Sequence, residues 1–336
     1  MWVSSRGAEL GLEYEIHQGC KAGARGSSSS EVLPEKFQDC DIEASMHSIF
    51  FLTTTLLGRA FAHSWNEQLT VVENGFFIGN NGYPRGYVSR SDPGFNDDMM
   101  TYLLPPLASG RTRVDDSDLV CAPTQRSANQ TNGYPRLSAS PGVYIAMKYL
   151  ENGHVTLPQI QPGKPQGAGI VFVFGTSQPT DNDLLTEVLQ WTTNGAGGDR
   201  RGRLLTAQNF DDGRCYQIND GDVSVARQEE YPNLTPGQPR SVNEQWCETD
   251  VLIPTDVPIG PLYTLYWVWQ WPTEPGTPGL PDGKDEYYTS CSDLDIVGGP
   301  FQGTDSNPLP QQDPQIAAVP NFESRTAFNT DPFART

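Results

Sequence analysis

From residue 263 to 271 the chain alternates without a break. Thr264, Tyr266, Val268 and Gln270 fall on one parity, and Leu265, Trp267, Trp269 and Trp271 on the other. Successive side chains of a strand point to opposite faces, so this period of two in aromatic and β-branched residues is the strongest strand signal in the sequence. Residues 69–72 alternate into a turn at Glu73-Asn74-Gly75, Phe76-Phe77-Ile78 follows, and Gly79-Asn80-Asn81-Gly82 predicts a second turn. Residues 143–149 alternate and stop at Asn152-Gly153, and 169–174 is a continuous apolar run, as expected of a strand buried on both faces. Residues 215–218 and 286–297 read as further strands. One helix is predicted over 183–191, with Asp181 or Asp183 as its cap. With 33 Gly and 28 Pro and so little helical period, the fold class is all-β with long irregular loops and one short helix. The longest loop is 83–142, broken by Pro84, Pro93, Pro105, Pro106, Pro123, Pro135 and Pro141.

The N-terminal part carries the export signal. Met46 opens an apolar run through Leu56-Leu57, and Ala60-Phe61-Ala62 gives the small-residue pattern at which signal peptidase cuts. The run is too short to span a bilayer. Residues 1–45 are polar and unpatterned and read as an extension ahead of the true start, 46–62 as the signal peptide, 63–297 as the folded domain and 298–336 as a disordered tail. The competing reading is an uncleaved internal anchor. Cleavage leaves 17 basic and 33 acidic residues, about −16 net, which argues against nucleic acid and anionic membranes as partners. A secreted, extracellular monomer is expected. Four cysteines survive, Cys121, Cys215, Cys247 and Cys291; an even count in a secreted chain implies two disulfides, with three possible pairings. Asn129-Gln130-Thr131 and Asn233-Leu234-Thr235 are N-glycosylation acceptors.

Cleavage after Ala62 makes His63 the first residue. An N-terminal histidine offers two nitrogens, an imidazole and an α-amine of intrinsic pKa about 7.7–8.0. With a third nitrogen such a site favours copper over other divalent metals. The mature chain holds one other histidine, His154, just past a strand and a turn, where an exposed ligand can be aimed. Near the far end lies Glu286-Tyr287-Tyr288-Thr289-Ser290-Cys291, which puts Glu286 and Tyr288 on one face of a strand. Asn-Gly-Tyr-Pro-Arg occurs at 81–85 and again at 132–136. The plain reading is two surface turns; the sharper one makes Tyr83 and Tyr134, with Trp65, platforms for sugar rings.

Taken together, His63 at a cleaved start, His154 after a strand and turn, and a closing Glu-x-Tyr-x-x-Cys strand resemble the copper-dependent lytic polysaccharide monooxygenases. His63-Ser64-Trp65 with Gly82-Tyr83-Pro84-Arg85-Gly86-Tyr87 more closely resembles a group of fungal secreted domains of unassigned activity. The resemblance implies an immunoglobulin- or fibronectin-III-like β-sandwich. It implies a copper ion held by His63 and His154 with Tyr288 in the axial position, and a polar role beside it for Glu286. The partners would be a polysaccharide, cell-wall glycan included, and an external electron donor. It also implies the pairing Cys121–Cys291, leaving Cys215–Cys247. His63 and His154 are then expected to bring their rings to roughly 3–5 Å, given metal–nitrogen bonds near 2 Å. Two other functions fit the same residues: extracellular copper binding or uptake without oxygenation, and a glycan-binding cell-wall module.

Overall fold

In the computed structural model the described residues are 64–73, 76–232 and 244–299. The expectations for 1–45, 46–62, His63, Asn233 and the tail beyond 299 lie outside them. Twelve strands and two helices follow in order: β1 (Gln68–Glu73), β2 (Phe76–Gly82), β3 (Leu103–Leu104), β4 (Leu137–Ala139), β5 (Tyr144–Tyr149), β6 (Ile170–Thr176), α1 (Leu185–Val188), β7 (Arg203–Asn209), β8 (Tyr216–Gln217), α2 (Asp222–Glu230), β9 (Glu244–Gln245), β10 (Cys247–Leu252), β11 (Leu262–Gln270) and β12 (Tyr287–Ile296).

The alternating stretch is β11, at the centre of a six-stranded sheet ordered β3-β12-β11-β6-β7, with β4 running parallel to β12. A four-stranded sheet, β10-β5-β1-β2, lies opposite. Tyr263, Leu265, Trp267, Trp269 and Trp271 point into the main core with Ile145, Met147 and Tyr149 of β5, Leu69 and Val71 of β1, and Val251 of β10. Two sheets that share one apolar layer make a β-sandwich. Each tryptophan brings about 150–250 Å² into that layer, which is why β11 sets the position of its neighbours.

The other parity of β11 is buried too. Tyr266 and Val268 pack with Phe174, Leu104, Val120, Leu185, Val188 and Trp191 in a second cluster outside the sandwich. That cluster is what the irregular 83–142 segment does: part of it folds over the outer face of the larger sheet and is tied there by Cys121–Cys291, with Cα atoms 5.7 Å apart. Cys215–Cys247 is the second bridge. The run at 169–174 is therefore buried on both faces, as β6.

Two local expectations are corrected, and one element is new. The predicted turn at Gly79–Gly82 is a continuation of β2; Gly79, at φ +71°, takes up a bulge against β1 instead of reversing the chain. The helix predicted over 183–191 shrinks to the single turn of α1 because Asp183 does not cap it. Its carboxylate accepts from Thr180 Oγ1 at 2.6 Å and Tyr266 Oη at 2.5 Å and pairs with Arg201 at 2.6 Å. These partners hold the carboxyl below the usual carboxylate range against the upward push of burial. α2 was not anticipated at all.

The duplicated pentapeptides are not two independent surface turns. They meet. Tyr83 N–H donates to Pro135 O at 3.0 Å, the Tyr83 and Tyr134 rings pack edge-on at 5.1 Å, and both arginines converge on Asp293 of β12, Arg85 at 2.7 Å and Arg136 at 3.8 Å. Arg85 and Asp293 are buried, and Thr264 Oγ1 adds a donor at 2.7 Å. Gly82 is required by this close approach, since a Cβ there would overlap Leu137.

Candidate metal centre

β5 ends where Asn152 (φ +48°) and Gly153 (φ +80°) turn the chain in the left-handed region. The loop that follows is organised by one buried carboxylate. Glu151 accepts from Val155 N–H (2.7 Å), Thr156 Oγ1 (2.6 Å) and, across the fold, Gln217 N–H (2.7 Å). Charge-assisted bonds of this kind are about twice as strong as neutral ones, so the loop has one shape. His154 rides on it, its own N–H donating to Glu151 O at 2.8 Å.

The sequence suggested an exposed His154; the side chain is instead 4% exposed. The loop folds back so that the imidazole meets Trp271 edge-on at 4.6 Å between ring centroids and Trp269 at 5.2 Å. Trp271 closes that end of the sandwich, with the part-exposed Lys164 ammonium 3.8 Å above its ring.

Tyr288 reaches one of these rings, Trp269, from β12. It pairs with Trp269 in the ladder, and their rings lie 4.9 Å apart, so Trp269 touches both His154 and Tyr288. Tyr288 and Tyr287 face opposite sides, the first in the main core and the second in the outer cluster. Glu286 stands at the end of the inner face. Its Oε2 accepts from Tyr288 Oη at 3.4 Å, while Oε1 takes Lys164 at 2.9 Å, Lys284 at 3.2 Å and Thr273 Oγ1 at 3.3 Å. Burial pushes Lys164 down to about 8.

The segment from Ser64 to Glu67 runs between these two elements. Ser64 Oγ donates to Leu150 O at 2.6 Å, Asn66 N–H to Ser290 Oγ at 3.1 Å, and Glu67 N–H to Lys148 O at 2.8 Å. Ser64 is thus tied four residues ahead of His154, and Asn66 two residues past Tyr288. His63 itself lies outside the described residues. Beside this segment Glu244 accepts from the Asn152 N–H; burial, with the Glu151 charge second, pushes its carboxyl up to about 7. The folded state therefore holds a proton there that the unfolded chain has released between pH 4.5 and 7, so stability from this group is present below pH 4.5 and falls as pH rises through 7. Glu244→Gln is expected to flatten that fall, by on the order of 1–3 kcal/mol across the window. Melting temperatures of the two proteins from pH 4 to 8 check it; parallel curves contradict it.

The expected sugar platforms fare differently. Trp65 is 1% exposed under the Arg90 guanidinium, 4.0 Å away, and offers no face to a sugar. Tyr83 and Tyr134 are half-buried against Tyr87 at 5.0 and 4.9 Å, and Tyr134 Oη donates to Asp92 at 3.0 Å. Their edges are spent on each other. Asn129 is exposed.

Among the described residues, the group of three His, Cys, Asp or Glu side chains close enough to share an ion is Asp211, Asp212 and Cys215. It does not fit a metal: Cys215 is a disulfide sulfur and Asp211 is taken by Arg227 at 2.8 Å. His154 and Tyr288 both lie against the Trp269 ring; one imidazole and one phenol would need an added amine and imidazole to make a donor set fit for copper. Glu151 and Lys164 were missed by sequence reasoning, and neither carries a local signal that would have found it.

Residues 60–320 match the family described as "Domain of unknown function (DUF7492)". No curated protein matches the sequence. Similar solved structures include one titled CvAA9A, at 14% identity over 80% of this chain and 91% of that one, TM-score 0.30. A glycoside hydrolase family 61 member, Cel61B from Hypocrea jecorina, matches at 13% identity over 76% and 87%, TM-score 0.29. The extended catalytic domain of Hypocrea jecorina LPMO9A, also called EG4, matches at 13% identity over 74% and 81%, TM-score 0.30. No helix of the described residues is long and apolar enough to cross a membrane.

Proposed function

The chain belongs to the DUF7492 family, and we propose that it is a secreted copper-dependent oxidative enzyme acting on polysaccharide, with His63 as its first residue. The observation that carries this reading is the Ser64 Oγ–Leu150 O hydrogen bond of 2.6 Å. It ties Ser64, the second residue of a chain cut after Ala62, to Leu150, four residues ahead of the other histidine of the mature chain, and so supports a start near the His154 loop.

Copper would be held by the His63 α-amine and imidazole and the His154 imidazole, with the Tyr288 phenol as a further oxygen donor. Bound copper supplies one-electron chemistry with oxygen or peroxide, fed by an external electron donor. The remaining work belongs to the chain. Glu151 fixes the loop that aims His154. Trp269 and Trp271 hold its ring and exclude water from one side. Glu286, in contact with the Tyr288 hydroxyl, holds a proton or releases it. The two disulfides and Asn129 suit the extracellular side, with Asn129 and Asn233 as glycan acceptors.

A second reading has its own support. At 4% exposure His154 sits deep for a ligand whose metal must meet a polymer, and an extracellular copper carrier needs no such access. N-terminal sequencing of secreted protein, then copper titration, tests both; a start other than His63 removes the amine ligand and ends them together. Peroxide production by the reduced, copper-loaded protein separates enzyme from carrier.

A further inference from the structure

Glu286 is 8% exposed, and a carboxylate so placed needs its partners. Those partners divide by oxygen. Lys164, Lys284 and Thr273 all take Oε1, and Oε2 is left to the Tyr288 hydroxyl. Lys284 and Thr273 belong to the hairpin that runs into β12, so they move with Glu286. Lys164 comes from a different part of the fold, the turn that follows the His154 loop.

That turn is itself fixed. Glu274 N–H donates to Gly163 O at 2.7 Å, and Gly163, at φ +74°, lies where a Cβ would overlap Thr277. Lys164 Nζ then donates to Trp271 O at 3.1 Å and lies 3.8 Å above the Trp271 ring, whose edge meets His154. The other charges on the hairpin are directed elsewhere: Asp285 accepts from Arg113 at 2.9 Å, and Glu274 is exposed. Lys164 is therefore an ammonium held at a point by a carbonyl, an indole face and a carboxylate.

We propose that Lys164 is a positioning residue, the fixed cation that anchors one oxygen of Glu286 and so turns the other toward Tyr288. The role rests on the copper reading of the same site. Lys284 and Thr273 hold the same oxygen but travel with Glu286, so Lys164 is the contact that fixes it against another part of the fold. Burial at that point costs the ammonium some of its basicity, and the Glu286 charge offsets part of that cost.

The test uses protein beginning at His63 in three forms: wild type, Lys164→Met and Lys164→Arg, with Lys164→Gln as a second neutral variant should methionine impair folding. In copper-free crystals, Glu286 is expected within hydrogen-bond distance of Tyr288 in wild type and Lys164→Arg, and swung out in the neutral variants. Copper affinity should fall far less than on loss of a nitrogen ligand, since Lys164 supplies no ligand and acts through Glu286. Groups that hand over protons contribute about 10²–10⁴-fold, so peroxide production by the copper-loaded neutral variant is expected to fall ~10-fold, with Lys164→Arg keeping most of it. Glu286 unmoved in the neutral variants, or peroxide production equal to wild type, overturns the inference. Wild type that binds no copper defeats the copper reading instead, and the crystals alone then decide the positioning role.

Discussion

Asp293→Ala is expected to cost the domain about 3–5 kcal/mol, the range for removing one partner of a buried ion pair. Asp293 is fully buried and accepts from Arg85 Nη2 at 2.7 Å, Arg85 Nε at 2.9 Å and Thr264 Oγ1 at 2.7 Å. Alanine removes the carboxylate and leaves a guanidinium, 2% exposed as a residue, with only the Gln125 and Arg126 carbonyls and the Thr264 hydroxyl. For a domain of this size each kcal/mol moves the melting temperature by roughly 2–4 °C, so a drop of roughly 10 °C is expected. Arg136→Ala should cost under about 1 kcal/mol, because that side chain is part-exposed and its approach to Asp293 is 3.8 Å. Replacing both Arg85 and Asp293 with leucine should destabilise less than the sum of the single changes, since no charge is then stranded. Thermal melts of Asp293→Ala, Arg136→Ala, the double leucine variant and its two single leucine variants check the set. A melting temperature for Asp293→Ala within 2 °C of wild type contradicts it.

The second large effect concerns His154. In protein that begins at His63, His154→Ala is expected to weaken copper binding by at least ~100-fold, because changes one shell further out already cost about 10–100-fold. The substitution also opens a gap between Trp269 and Trp271 and the loop. His154→Gln fills much of that gap and separates the two causes: it should melt close to wild type yet bind copper as poorly as alanine. Isothermal titration with copper(II) alongside thermal melts reads both. Copper affinity within twofold of wild type in both variants contradicts the role given to His154.

The strands were legible because their residues declare a period. β11, β5, β6 and β12 appear where alternation or continuous apolar runs put them, within a residue or two. What escaped is what distant residues decide. Asp183 looks like a helix cap in sequence, but Tyr266, Thr180 and Arg201 claim its carboxylate and the helix keeps one turn. The two Asn-Gly-Tyr-Pro-Arg copies look like separate turns until Asp293, far along the chain, draws their arginines to one point. The loop 83–142 has no period because its order comes from a disulfide and from covering β11 and β6, not from local preference.

At the site the same division holds. Glu286 and Tyr288 share a strand face, as a spacing of two requires, and Tyr288 meets the ring that His154 meets. The depth of His154 was not readable, because it depends on how Glu151 folds the loop back, and Glu151 acts through Gln217, 66 residues away. Lys164 is equally silent in sequence: a single lysine in a Pro-Gly-Lys-Pro turn gives no sign that it will lie on Trp271.

The most direct measurement is a copper(II) titration of two proteins that differ only at the start, one beginning at His63 and one with a glycine placed before it. The account predicts tight one-to-one binding for the first and a loss of affinity of at least ~100-fold for the second, whose histidine lies inside a peptide bond. Equal affinity in the two, or no binding in either, contradicts it.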